Sequence, residues 1–311
     1  MRLSFLITYH GEGSWLAECL QSVLPQLEPE DEVIIYDDAS DVPAADYLLH
    51  DARVRSLRGE TNRGPAFGRN ELLTASRGTH IHFHDADDLC AGDWRARVAA
   101  AFTETTDVVF TDVASFDEHG RRSTRVMQVQ RIADEGDLLA FALRGGLLAP
   151  AGTYRRAVVE RIGGYCAELW QSEDYDFHIR LALAQPRWRV VADDLVLIRR
   201  HEQQRSRDTV TVWSCAVTAL ERNAGQFPVA AHGDVAAAAT RAASRLFAAG
   251  ATAEAARAFR LAARFGGARY DRALMRQLTR VVGPLSAEKV AGLYRRLLPA
   301  ALRNRVQESG W

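Results

Sequence analysis

Cysteine is scarce in this sequence, and what there is lies scattered. Cys19, Cys90, Cys166 and Cys215 are the only four in 311 residues, and no two form a Cys-x-x-Cys pair. This spacing argues against a disulfide framework or a zinc site and for reduced thiols in a cytoplasmic protein. No apolar run is long enough to cross a bilayer, and the chain enters a strand-like segment at once, so neither a secreted nor an integral membrane protein is expected. Gly-x-Gly-x-x-Gly is missing after the first apolar run, where the sequence reads TYHGEGSWL. A dinucleotide-dependent oxidoreductase should carry that signature there. Overall charge is also nearly absent, at −1, but it is unevenly spread. Residues 1–207 hold 24 arginines against 33 acids, whereas 208–311 hold 15 basic residues against 7 acids. The acidic part argues against nucleic acid as a partner. The charge break coincides with a change of composition, which places a domain boundary near 207.

What is present is an alternation of apolar strands and amphipathic helices. LSFLIT (3–8), EVIIYDD (32–38), ARVRSLR (52–58), HIHFHD (80–85) and DVVFTDV (107–113) read as strands. Helical spacing covers 14–26, with Ser14 as the expected N-cap, then 64–76 and 93–102. Strands apolar on both faces and separated by helices predict an α/β fold, a mostly parallel sheet covered on both sides. Ligands of such sheets sit at the carboxyl ends of the strands. Four of those ends are polar: Thr8-Tyr9-His10, Asp37-Asp38, Asp85-x-Asp87 and Thr111-Asp112. Further on, 124–130 is expected as an antiparallel strand, 135–144 as a helix, 153–165 as strand, short helix and glycine stop, 172–184 as a helix and 188–201 as a strand pair. From 208 the chain is rich in Ala and Arg, with helices expected at 209–224, 234–249, 252–265, 270–281 and 286–298. The pairs are of similar length, but repeat signatures are too sparse, so a helical bundle is the reading.

The densest cluster of chemistry is THIHFHDADD at 79–88. A strand period of two puts His80, His82 and His84 on one face and Ile81 and Phe83 on the other. Same-face neighbours are about 6.6 Å apart along a strand, so His80 and His84, about 13 Å apart, cannot share one ion. The histidines are expected to be neutral core residues, with His84 placed to influence Asp85. Asp85 and Asp87 straddle one residue at the strand's end. Such a pair either caps the next element or holds an oxygen-seeking cation, Mn²⁺ or Mg²⁺. Asp37 and Asp38 either start an Asx-type turn or bond a nucleobase or ribose.

Five segments in order, SFLITYH…WLAECLQSVLPQ, DEVIIYDDAS, NRGPAFGRNELLTASRGTHIHFHDADD, RIGGY and SEDYDFHIRLA, resemble the inverting glycosyltransferases of family 2, which have the Rossmann-like GT-A fold. The resemblance covers about residues 2–206. It implies a donor half at 1–113, an acceptor half at 114–207, a separate helical region at 208–311, and a nucleotide-sugar donor, UDP-linked by expectation. Thr8 and Tyr9 match the pair lying against the base, Asp38 the acid contacting uracil with Asp37 beside it, and Arg69 an arginine near base and phosphates. Asp85 is implied near the ribose, and Asp87 at the Mn²⁺ or Mg²⁺ that bridges the diphosphate, with Asp85 and His201 as further metal ligands. Asp174 matches the catalytic base. Glu173 and the flat face of Trp170 are candidates for the acceptor, the alternative for Trp170 being loop packing and for Glu173 ordinary first-turn charge.

The sequence departs from the family pattern at His10, usually Asn, at Ile7, often Pro, and at Ala39, usually Gly. None of these removes an implied catalytic group. Sugar nucleotidyltransferases share such a sheet, but their glycine- and base-rich phosphate loop after the first strand is absent here. A non-catalytic nucleotide-sugar scaffold would need neither Asp87 nor Asp174. For the basic region 208–311, solvated helix faces are weighed against self-association or docking at an anionic membrane surface.

Overall fold

The computed structural model describes residues 1–117, 120, 122–201, 207–270 and 283–289. The chain divides into two compact units, 1–205 and 206–311.

The first unit is a sheet with helices on its faces. In chain order it contains β1 (Leu3–Tyr9), α1 (Ser14–Val23), β2 (Glu32–Asp37), β3 (Val54–Arg58), α2 (Pro65–Ala75), β4 (His80–Asp85), β5 (Leu89–Cys90), α3 (Trp94–Ala101) and β6 (Val108–Asp117). There follow β7 (Arg122–Met127), α4 (Gln130–Glu135), α5 (Leu138–Leu143), β8 (Gly152–Arg155), α6 (Arg156–Arg161), α7 (Glu173–Leu183) and β9 (Trp188–Arg200). The strand order is β3-β2-β1-β4-β8-β6-β9-β5, with β7 paired to β6. The first four of these run parallel; from β8 onward the sheet is mixed, because β8 is antiparallel to both its neighbours.

The sequence dictates the central strands directly. Leu3, Phe5, Leu6 and Ile7 of β1 and Val33, Ile34 and Ile35 of β2 are wholly buried. A strand with no polar face must be covered on both sides. α1 covers one side with Leu16, Cys19, Leu20 and Val23, an i, i+3, i+4, i+7 stripe. α2 approaches closely because residue 68 is glycine: a Cβ there would lie 2.8 Å from the Tyr36 ring and 3.3 Å from Thr8. That approach carries the next residue, Arg69, under the sheet's edge. Register then collects the polar strand ends, for Thr8 lies opposite Asp85 and Tyr9 opposite Asp37.

Several local expectations need correction. Gly13, at φ 61°, occupies the N-cap of α1 and Ser14 is the first helical residue. The helix expected at 135–144 is α5, which starts at Leu138 because Gly136 (φ 67°) ends the preceding α4 and Asp137 caps α5 by accepting a hydrogen bond from Ala140 N. The expected strand pair at 188–201 is the single 13-residue strand β9. Asp112 lies within β6 and not at its end; its Oδ1 accepts from Val129 N at 2.6 Å.

Ala39, in the turn after β2, has φ 58°. An L-residue in that region costs about 1–2 kcal/mol, and glycine's greater unfolded-state entropy returns about 0.5–1 kcal/mol. Ala39→Gly is therefore expected to stabilise the protein by about 0.5–1 kcal/mol. A higher urea midpoint at unchanged slope would show it, and a lower midpoint would contradict it.

The second unit contains α8 (Thr209–Arg222), α9 (His232–Ala248) and α10 (Thr252–Arg264). Its interfaces are built mainly of alanine: Ala236, Ala239, Ala242 and Ala243 of α9 and Ala255, Ala258 and Ala262 of α10 are buried. Arg257 reaches across from α10 to Glu221 and Thr218 of α8. The helix expected at 270–281 and most of that at 286–298 lie outside the described residues. No described helix is long and apolar enough to cross a membrane.

Candidate active site

The carboxyl ends of β1, β2 and β4 converge with the start of α7. One buried side chain ties them together. Arg69, 4 % exposed, donates from Nη2 to Asp85 Oδ1 and from Nη1 to Glu173 Oε1, both at 2.7 Å. Its guanidinium also lies 5.1 Å from the centre of the Tyr165 ring. Arg69 is thus beneath the site, holding two acids, and not out on a ligand-facing surface.

The position of α7 follows from the same helix α2. Asn70 donates to Tyr165 O and accepts from Tyr165 N, both at 2.8 Å, which fixes the Gly163-Gly164 turn. Tyr165 then stacks on Phe177 of α7, ring centres 4.4 Å apart. Ser172 at φ 55° turns the chain into the helix, so that Glu173 faces inward to Arg69 while Asp174 stands at the first turn. Burial, and then the charge of Glu173, raise the Asp174 carboxyl to about 7, against the opposing pull of Arg69. A carboxylate poised there suits proton abstraction at neutral pH.

At the end of β4 the acids differ from one another. Burial would raise Asp85, but Arg69, helped by a 3.2 Å bond from Thr8 Oγ1, pulls its pKa below the ordinary value. Asp87 is raised by burial and by Asp85, against the bond between its Oδ2 and His201 Nε2 at 2.9 Å. Glu12 joins the group: burial raises its carboxyl to about 7, with Asp87 and Asp85 adding to the effect while His10 N–H, at 2.5 Å, opposes it. Asp88 is pushed well up by burial and by the same two neighbours. Burial is the larger cause in each case, and a bound cation would relieve the repulsion that adds to it. Carboxylates with one imidazole are a donor set that fits Mn²⁺ or Mg²⁺. His201 Nδ1 is buried and unpartnered, and its ring packs 4.7 Å from that of Trp15. Arg199 braces the group from below. It donates to Asp87 O at 3.0 Å and to Glu18 Oε2 at 2.7 Å, and its backbone N–H donates to Asp88 Oδ1 at 3.0 Å.

At the end of β2, Asp37 accepts from Ser40 N, Ala44 N and Arg58 Nη1, each at 2.9 Å, and so builds the turn. Asp38 accepts from Arg63 N at 2.8 Å and Gly64 N at 2.7 Å, one per oxygen, which leaves further lone pairs on both. Tyr9 is buried, and its hydroxyl donates to Val42 O. It forms the floor of this turn and offers no exposed ring. His10 accepts the usual asparagine's place: Nδ1 donates to the Asp38 carbonyl and Nε2 accepts from Asn62 Nδ2, both at 3.0 Å. Of the two acceptor candidates, Glu173 is committed to Arg69. Trp170 is 48 % exposed and lies against Gly64, where a Cβ would meet its ring at 3.2 Å. Nothing in the sequence points to Asp88, Arg199 or Asn62, whereas Glu12 is marked as the acid in the glycine-flanked loop after β1.

Similar folds occur among solved structures. S. aureus TarS 1–349 in complex with UDP-GlcNAc superposes with a TM-score of 0.59, at 18 % identity over 88 % of this chain and 93 % of that one. The mannosyltransferase PcManGT from Pyrobaculum calidifontis, in complex with GDP-Man and Mn²⁺, gives 0.60, at 18 % identity over 94 % and 87 %. The fold is therefore of the GT-A type. Residues 4–163 match the family described as glycosyl transferase family 2, and the chain belongs to that family of glycosyltransferases. An uncharacterized glycosyltransferase of Haemophilus influenzae is 27 % identical over 183 residues, 58 % of this chain and 61 % of its own length. The match thus spans less than two thirds of that relative.

Proposed function

We propose that this protein is a metal-dependent, inverting glycosyltransferase that moves a sugar from a nucleotide diphosphate, UDP by preference, to an acceptor hydroxyl. The observation that carries the reading is the Arg69 fork. A single buried cation sets the acid at the end of β4 and the first turn of α7 in one rigid arrangement. A donor site and a base held at fixed separation are what in-line displacement needs.

In this reading residues 1–113 bind the donor and 114–207 shape the acceptor site. Asp38 accepts from the base with its remaining lone pairs, while Asp37 and Tyr9 keep that turn in shape. Thr8 and Arg69 orient Asp85 toward the ribose. Asp85, Asp87 and His201 would hold Mn²⁺ or Mg²⁺. When bound, such an ion supplies neutralising charge for the leaving diphosphate. Asp174 takes the proton of the acceptor hydroxyl as its oxygen attacks the anomeric carbon from the face opposite the nucleotide. The C1–O bond to the diphosphate breaks with that electron pair, which inverts the anomeric centre. Trp170 offers an exposed apolar face to the acceptor.

The metal role is checked by calorimetry with UDP. Binding is expected to tighten about tenfold or more when Mn²⁺ is added, a gain of about 1.4 kcal/mol. Asp87→Ala is expected to lose that gain. Equal affinity with and without Mn²⁺ in the unaltered protein would contradict the assignment.

A further inference from the structure

On the opposite side of β4 from α7, three side chains converge that sugar transfer does not use. His82 and His84 project from β4, and Cys90 enters on β5. One ligand atom of each lies within 4.8 Å of the others, and all three residues are buried. We propose that His82, His84 and Cys90 form a buried site for a soft d¹⁰ metal ion, Zn²⁺ or Cu⁺. The inference is independent of the proposed sugar transfer.

Hydrogen bonding fixes the orientation of the first ligand. His82 Nδ1 lies 3.0 Å from Gly152 O, and a carbonyl only accepts, so Nδ1 carries the proton and Nε2 keeps its lone pair. A backbone carbonyl behind one ring nitrogen is the usual support for a metal on the other. His82 Nε2 is 3.2 Å from His84 Nδ1. Two nitrogens bound to one tetrahedral zinc are about 3.3 Å apart at ordinary bond lengths. With both nitrogens on one ion, His84 binds through Nδ1 and its Nε2 carries the proton. The surroundings are the aromatic faces of Phe5 and Trp94.

Charge and coordination number separate the two ions. Binding replaces the Cys90 thiol proton, which leaves to solvent, by a sulfur–metal bond. With Cu⁺ the resulting centre is neutral and complete with three ligands, which a dry core tolerates. Zn²⁺ takes four ligands, so it would need one donor beyond these three. Cysteine spacing alone does not reveal this cluster, because Cys90 reaches the histidines through the turn into β5.

The test uses the full chain, reduced and stripped of metal, titrated separately with Zn²⁺ and Cu⁺ against a coloured chelator while ultraviolet thiolate-to-metal absorption is followed. One equivalent of at least one ion is expected to bind with that absorption. Asp87→Ala and the double variant Cys166→Ser/Cys215→Ser should keep it. Cys90→Ser should lose it, as should His84→Leu should the serine variant fail to fold. The proposal is overturned if neither ion competes with the chelator in the unaltered protein, or if the thiolate absorption survives in folded Cys90→Ser.

Discussion

Asp174→Asn is expected to lower kcat by about a thousandfold or more while the UDP dissociation constant changes by less than about threefold. The substitution keeps the shape of the side chain and its hydrogen bond from Tyr175 N. It removes only the capacity to take a proton, so the loss falls on the chemical step. The pH dependence has a definite sign. The base works when unprotonated, and its carboxyl is raised to about 7, chiefly by burial. Activity should therefore rise with pH through about 7 and fall tenfold per unit on the acid side. A variant that turns over normally, or a profile flat between pH 5 and 8, would remove Asp174 from the role.

Arg69→Met should have the largest effect on stability. The arginine is buried between two carboxylates, and its removal leaves both without their cation. Breaking a buried pair in this way costs about 3–5 kcal/mol. Because 37 % of the Asp85 side chain is exposed, the lower end, about 3 kcal/mol, is expected here. At about 2–4 °C per kcal/mol for a unit of this size, Tm falls by roughly 6–12 °C. Adding Glu173→Gln to Arg69→Met should recover part of the loss, since one of the two stranded charges is then gone. Arg69→Lys should rescue incompletely, because an ammonium lacks the fork that serves both acids at once. A Tm within about 2 °C of the parent in Arg69→Met would show that the network is not what sets α7.

Much of the donor edge was legible because it is written in strand periodicity. Apolar runs that end in acids placed Asp37, Asp38 and Asp85 at strand ends, and parallel register then brings those ends together without further instruction. Long-range pairings were not legible in that way. Nothing local to Arg69 says that it will reach Glu173, 104 positions away. Its burial depends on Gly68 letting α2 approach the sheet. Glu173 reads as first-turn helix charge and becomes the anchor of α7 for the same reason. Arg199 and Asp88 were missed because β9 reads as two strands until its whole length is seen to pass beneath the acidic edge. THIHFHDADD divides cleanly. Its carboxylates belong to the edge, while its histidines face a core in which Cys90 is the neighbour.

Every active-site role above depends on sugar transfer from a nucleotide donor. Its most direct test is release of nucleoside diphosphate from a panel of nucleotide sugars with Mn²⁺ present, with candidate acceptors added in turn and the anomeric configuration of any product read by NMR. Turnover of at least one donor, UDP-linked first, is expected, stopped by chelation and by Asp174→Asn, with inversion at the anomeric carbon. Product with retained configuration, or a panel in which no nucleotide sugar binds or turns over, would contradict it.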